Sequence, residues 1–396
     1  QLHKKMINRD LSNTISELSH KMPVLTVTGP RQSGKTTLVK QLFADKPYVN
    51  LEHPEQRDLA INDSNSFLKQ FPQGAILDEI QKVPQLLSYI QVIVDEVATE
   101  GMFVLTGSHQ LMMHQAVSQS LAGRTALLIL LPFSIHELKG AGLDFQVEDY
   151  LLNGFYPRLY DKQLTPLEMY RNYVQTYVER DVRQVINIKD LALFEKFLKL
   201  IAGRIGQIVN YNNLSNEVGV SHVTIKSWLS VLEASYIIYF LQPYYENLGK
   251  RLIKSPKLYF VDVGLAAYLL SIENTKQMFR DPLRGALFEN MVVSELVKTR
   301  GNIGKDPNLY FYRDNRQVEI DVLYKTGNQL SAVEIKSSST FHRGFTKNLD
   351  FLRQLLGERC NNTYVIYAGE QQQAYQGHHL INYKNAASIL SESSTD

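Results

Sequence analysis

Apolar residues in this chain come in short dense runs, separated by longer stretches in which they recur every three or four positions. Over residues 1–150 the dense runs fall at 24–28, 48–51, 75–77, 103–106 and 126–131, and each is rich in Val, Ile, Leu, Phe or Thr, as strands are. The stretches between them carry helical periodicity. Strands alternating with helices predict a parallel sheet covered on both faces, with ligand bound at the carboxyl ends of the strands.

The pattern changes after residue 150. Residues 150–190 read as helices with many aromatics and charges. In Tyr177-Val178-Glu179-Arg180-Asp181-Val182-Arg183, the two arginines share one helical face, which lines a nucleotide or subunit interface or is simply solvated. A periodic helix follows at 193–201, then a short helix at 212–217 and the turn Gly219-Val220. Ser221 caps a longer helix through Ala234, with Val223, Trp228, Leu229, Val231 and Leu232 as candidate core. Strands at 236–241 and 258–261 form a hairpin joined by a basic loop with Lys250, Arg251, Lys254 and Lys257. Helix, turn, helix and basic hairpin predict a winged helix whose second helix offers His222, Thr224, Lys226 and Ser227 to a DNA groove. Packing against a protein partner is the alternative use of such a module.

From about 280 an amphipathic helix (285–299) precedes strands at 309–313, 318–323 and 332–336, a helix near 346–356 and a strand at 363–368. Asp321 and Glu334 fall on adjacent strands. Glu334 and Lys336, two apart, share one sheet face. Two carboxylates and a lysine on one face suit a divalent ion and an oriented water, and Glu289 on the helix completes the set. A half-exposed strand with an incidental Glu–Lys pair is the plainer reading. The chain divides into expected domains at 1–150, 151–275 and 276–396.

The most specific chemistry lies after the first strand. Gly29-Pro30-Arg31-Gln32-Ser33-Gly34-Lys35-Thr36 matches G-x-x-x-x-G-K-[ST], the phosphate-binding loop, in the strand–loop–helix context it requires. The glycines let successive N–H groups face phosphate oxygens, and the helix start adds its dipole. Lys35 is expected to reach the β- and γ-phosphates, with Thr36 on Mg²⁺ and Thr37 following. About forty residues on, Ala75-Ile76-Leu77-Asp78-Glu79 ends a strand in two acids. Asp78 is expected to hold Mg²⁺ through water and Glu79 to polarise the attacking water. The strand at 103–106 leads into Gly107-Ser108; Ser108, with Thr106 second, is the candidate sensor of the γ-phosphate. Arg124 in Leu121-Ala122-Gly123-Arg124 either reaches a γ-phosphate, its own or a neighbouring subunit's, or is a surface arginine beside a turn. Glu52 also ends a strand, with its role open.

Composition adds limits. Hydrophobic residues at 44% and charged residues at 21% exclude global disorder. A net charge of +2 means that any basic surface is local. The single cysteine, Cys360, excludes a disulfide framework and a cysteine zinc site, and fits a reducing cytoplasm. No apolar run approaches the ~20 residues needed to span a membrane, and no signal-peptide pattern opens the sequence.

Taken together the motifs resemble one family, the prokaryotic (archaeal-type) AAA ATPases, whose C-terminal domain of unknown function has a PD-(D/E)xK nuclease-like fold. The residues that carry the resemblance are the loop through Thr37, Leu77-Asp78-Glu79-Ile80-Gln81, Leu105-Thr106-Gly107-Ser108, Leu121-Ala122-Gly123-Arg124, Pro132-Phe133-Ser134 with Glu137, Glu319-Ile320-Asp321-Val322 and Val333-Glu334-Ile335-Lys336. The resemblance implies an α/β fold with a P-loop AAA-type core, a helical lid and winged-helix middle domain and a C-terminal restriction-endonuclease-like domain. It implies ATP and Mg²⁺ as ligands and a functional Arg124. The expected activity is Mg²⁺-dependent ATP hydrolysis coupled to DNA, duplex, single-stranded or branched. Alternatives are an ATP-regulated nuclease and a signalling or defence switch. The expected assembly is a homo-oligomer, as a hexameric ring or smaller.

Overall fold

The computed structural model describes residues 6–108, 120–182, 190–245, 254–360 and 362–390, with backbone alone over 179–182. The chain packs as two compact units. One comprises Gln1–Phe133 with Ala234–Tyr236 and Gly301–Lys305; the other comprises Ser134–Glu233, Ile237–Arg300 and Asp306–Asp396.

The first unit is a five-stranded parallel sheet: β1 (Val24–Thr28), β2 (Tyr48–Asn50), β3 (Ile76–Asp78), β4 (Phe103–Gly107) and β5 (Thr125–Ile129), in the order β2-β3-β4-β1-β5. Strands β1, β3 and β4 are buried along their whole length, as unbroken apolar runs require of a sheet covered on both faces. Helices α1 (Leu11–Leu18) and α2 (Lys35–Leu42) pack with Leu25, Val27 and Val104, and the helix Leu86–Val97 packs with Leu77, Phe103 and Leu105. The order places β4 between β1 and β3, so its Thr106–Ser108 end lies between the phosphate loop and the acids.

The second unit contains most of the helices beyond residue 134 and an eight-stranded mixed sheet. Helices Leu191–Ala202, Tyr211–Val218 and His222–Ala234 precede the hairpin of β6 (Ile238–Pro243) and β7 (Lys257–Phe260). Ser221 Oγ accepts the Thr224 N–H, the expected cap. Ile225, Trp228, Leu229 and Leu232 form the buried stripe, with Trp228 edge-on to Phe194 and Phe197. Val223, expected in the core, is 73% exposed, because it falls off that stripe.

The hairpin continues into the C-terminal strands. Gln242 and Pro243 of β6 pair in parallel with Tyr310 and Phe311 of β8 (Leu309–Arg313). Next come β9 (Glu319–Thr326), β10 (Gln329–Lys336), β11 (Asn362–Tyr367), β12 (Gln373–Tyr375) and β13 (His378–Asn382), and the whole reads β12-β13-β11-β10-β9-β8-β6-β7. The helix Lys347–Leu356 covers this sheet with Leu349 and Leu352. Among the described residues no helix is long and apolar enough to cross a membrane.

Candidate functional site

The phosphate loop leaves β1 and curls because three backbone positions are left-handed: Gly29, Gln32 and Gly34 have φ of 141°, 63° and 94°. Gly29 admits no side chain, since a Cβ there would stand 2.2 Å from the Leu130 carbonyl oxygen. Gly34 is the N-cap residue of α2, so the helix N-terminus faces the loop's concavity. Thr37, in the first turn, is exposed.

Lys35 is buried, and its Nζ donates to the loop carbonyls of Gly29 and Pro30 at 3.0 and 2.8 Å. Burial pulls its pKa down to about 8, against the opposing pull of Glu79 and Asp78. Ser33 Oγ is buried and has no hydrogen-bond partner among the described residues. Arg31 lies 3.7 Å from Glu52, which gives that strand-end acid a neighbour at the loop.

Asp78 closes β3 and is buried. Its Oδ2 accepts from Thr36 Oγ1 at 2.9 Å and from Tyr48 Oη at 2.7 Å, while Oδ1 accepts from Thr106 Oγ1. Three hydroxyls thus fix the carboxylate beside Thr36. Burial and Asp78 push the Tyr48 phenol well above its usual range, so Tyr48 stays a donor. Glu79 follows with φ 58° and ψ 46°, a left-handed conformation uncommon for a residue with a side chain. Its N–H donates to Thr106 Oγ1 at 3.3 Å, and its Oε2 accepts from Ser108 Oγ at 3.3 Å and from Gln81 Nε2. Gln81 Nε2 also reaches Ser108 Oγ at 3.4 Å. Burial raises the Glu79 pKa, with Lys35 opposing.

The donor set fits a nucleoside triphosphate with Mg²⁺. A cradle of backbone N–H groups and a buried ammonium suit phosphates, and a hydroxyl beside an oriented carboxylate suits a hard cation. The structure therefore brings together Gly29 to Thr36, Asp78, Glu79 and Ser108. Sequence reasoning missed Tyr48, the role of Gln81, and Arg9. Arg9 donates to the Ser33 and Leu131 carbonyls at 2.7 and 2.6 Å and lies over the Phe133 ring, tying the loop to the strand beside it.

Arg124 is not at this site. Its carbonyl accepts the N–H of Val24, the first residue of β1, whereas the loop follows the last; the five-residue strand separates them by roughly 13 Å. Its guanidinium pairs with Asp95 through two hydrogen bonds of 2.5 and 2.9 Å and holds that carboxyl below its usual range. A reach to its own γ-phosphate is thereby ruled out by position.

The C-terminal candidates do converge, but with a cation among them. Lys336 Nζ lies 2.5 Å from Glu334 and 3.3 Å from Asp321, whose Oδ2 also accepts the Ile335 N–H at 2.7 Å. Glu289, on the helix Arg284–Asn302, accepts from Lys257 at 3.2 Å and from Tyr259 at 2.5 Å. Lys257 was expected on the DNA-facing wing. It is instead 1% exposed and inward, because it also pairs with Glu319 at 2.5 Å. Lys250, Arg251 and Arg183 lie outside the described residues, as does the side chain of Arg180. Among the described residues no three His, Cys, Asp or Glu side chains are arranged to hold a metal ion. One oxygen each of Glu289, Asp321 and Glu334 is already engaged by ammonium, phenol or backbone donors. The set does not fit a divalent ion.

Residues 21–139 match a family model described as an AAA domain. Residues 144–276 and 284–386 match two models, each described as a domain of unknown function. An uncharacterised protein of Mycobacterium tuberculosis is 28% identical over 334 residues, 84% of this chain and 74% of that one. An uncharacterised protein of Methanocaldococcus jannaschii is 24% identical over 344 residues, 73% and 69% of the two chains. Among solved structures, the Walker-type ATPase of Pyrococcus abyssi aligns with a TM-score of 0.43 at 15% identity, over 67% of this chain and 97% of that one. AMPPCP-bound DnaA from Aquifex aeolicus aligns with a TM-score of 0.30 at 14% identity, over 56% and 85%. Loop, acids, strand order and family match together make residues 21–139 a P-loop domain of the AAA type.

Proposed function

We propose that the chain is a Mg²⁺-dependent ATP hydrolase that acts with DNA. The observation that carries the hydrolytic half is one hydrogen-bonded set. Thr36 and Tyr48 orient Asp78, Thr106 joins Asp78 to the Glu79 backbone, and Ser108 and Gln81 hold the Glu79 carboxylate. In this reading Lys35 and the loop amides bind the triphosphate, Asp78 and Thr36 hold Mg²⁺, Glu79 orients the attacking water, and Ser108 senses the γ-phosphate.

The DNA half rests on residues 191–260. The helix pair 211–218 and 222–234 is followed by a hairpin, and Ile208 forms an isolated antiparallel bridge with Lys257 of that hairpin. We read this as a winged helix. Lys226, Ser227 and Lys254 are exposed. We take 1–150 as the ATPase core, 151–275 as lid and winged helix and 276–396 as a nuclease-like module, in a cytoplasmic homo-oligomer in which ATP turnover rearranges the modules on DNA. Val223, exposed on the same helix, favours a second reading in which the module grips a protein and the chain is a signalling or defence switch.

ATPase rates with and without single-stranded, duplex and branched DNA separate the two. Stimulation by DNA, abolished in Lys226→Ala with Lys254→Ala, is expected. Each lysine–phosphate interaction removed should also reduce the log–log salt slope by roughly 0.9 on duplex. An ATPase indifferent to every DNA, with no binding at low salt, sinks the DNA half and leaves the protein-partner reading.

A further inference from the structure

Four carboxylates of the second unit face a common interior. Glu319 and Asp321 share a face of β9, Glu334 lies on β10, and Glu289 comes from the helix Arg284–Asn302. The regular pairing of β9 with β10 stops at Val322 and Val333, and beyond it the Asp321 carboxylate, in place of a backbone carbonyl, accepts the Ile335 N–H. The strands part there, and the acids line the gap.

Buried carboxylates need positive charge near them or they take up protons. Lys336 serves Asp321 and Glu334, and Arg313 serves Glu319 from outside at 3.2 Å. Among the described residues, the other cation in the cluster is Lys257. Its Nζ stands between Glu289 and Glu319, which come from a helix and a strand far apart in the chain. Its backbone is pinned. Lys257 pairs with Leu241 on one side, forms the bridge to Ile208 on the other, and lies over the Phe311 ring. With its strand paired on both sides the Lys257 backbone is fixed, and its buried ammonium is held in place by Glu289 and Glu319.

We propose that Lys257 is a built-in cation that takes the place of a divalent metal in this acidic cluster. The cluster is then a lock joining the hairpin, the helix Arg284–Asn302 and β9, and not a centre for metal-assisted hydrolysis. Oxygen-ligated Mg²⁺ or Mn²⁺ needs convergent lone pairs at about 2.1 Å. Here Glu289 spends its Oε1 on Lys257 and Tyr259, Glu319 its two oxygens on Lys257 and Arg313, and Asp321 its Oδ2 on Lys336 and Ile335. Removing the ammonium frees two of the carboxylates and leaves a negative pocket that a divalent ion can neutralise. This inference stands apart from the ATPase reading, which concerns the first unit.

The test is Mn²⁺ binding to the full chain without nucleotide, followed by the free-ion electron paramagnetic resonance signal. Wild type and Asp321→Asn are expected to bind Mn²⁺ alike, because any weak binding comes from the phosphate-loop site in both. Lys257→Ala is expected to gain one site per chain, and Lys257→Ala with Glu289→Gln to lose it. Wild type should leave supercoiled DNA intact in Mn²⁺. A wild-type site that Asp321→Asn or Glu289→Gln removes would overturn the proposal. So would a folded Lys257→Ala, checked by circular dichroism, that gains no site. If Lys257→Ala does not fold, the comparison of wild type with Asp321→Asn decides alone.

Discussion

If Lys35 binds the triphosphate as proposed, nucleotide binding is sensitive to pH above neutrality. Burial in the nucleotide-free loop lowers its pKa from 10.5 to about 8, a cost of about 3 kcal/mol for keeping the ammonium charged. Phosphate oxygens in the cradle favour the charged form, so binding raises the pKa again and draws in a proton when the free lysine is neutral. If only protonated Lys35 binds, apparent affinity scales with the protonated fraction. The dissociation constant is then nearly flat below pH 7.5 and rises roughly tenfold between pH 7 and pH 9. The same shift ties stability to pH. The unfolded chain holds the proton up to about 10.5, the folded chain only up to about 8. The stability of the nucleotide-free chain therefore gains from this group as pH rises through that window. Isothermal titration calorimetry with a non-hydrolysable ATP analogue at pH 7, 8 and 9, in buffers of different ionisation enthalpy, reads both affinity and proton uptake. Proton uptake approaching one at pH 9 is expected. An affinity that is flat from pH 7 to 9 with no proton uptake refutes the account of the buried ammonium.

Two further perturbations probe residues that position the site. Tyr48→Phe removes one donor to Asp78, worth about 1 kcal/mol, so the half-saturating Mg²⁺ concentration for ATPase activity should rise about fivefold, while metal-free nucleotide affinity stays put; an unchanged Mg²⁺ requirement would discount the role of the phenol. Arg9→Met strips the donors from two carbonyls beside the loop. It should lower the melting temperature of the nucleotide-free chain by several degrees, for a loss of about 2–4 kcal/mol, and weaken ATP binding; a wild-type melting curve counts against the anchor.

The phosphate loop and its acids were legible because their signal is local: a motif of eight residues between a strand and a helix, and a strand ending in two carboxylates. Strands rich in β-branched residues were legible for the same reason. Strands β12 and β13 were not. They are short, carry Gln373, His378 and His379, and lie at the sheet edge, so no apolar run marks them. Lys257 read as a wing lysine because the basic loop around it is what the sequence displays. Its partners Glu289 and Glu319 come from two other elements, and only the fold shows that the strand turns this side chain inward. Tyr48 and Arg9 escaped similarly: each acts on groups distant in sequence, Arg9 reaching across 122 residues to Leu131. Arg124 shows the opposite case. Its motif is local, but which end of the sheet it occupies is a property of the topology.

The most direct test of the hydrolytic assignment is Glu79→Gln. The carboxamide keeps the shape and the hydrogen-bonding reach of the side chain but does not act as a base. ATP binding within about threefold of wild type, with turnover reduced by at least about a hundredfold and Lys35→Ala losing binding altogether, is the predicted result. A Glu79→Gln chain that hydrolyses ATP at the wild-type rate contradicts the account.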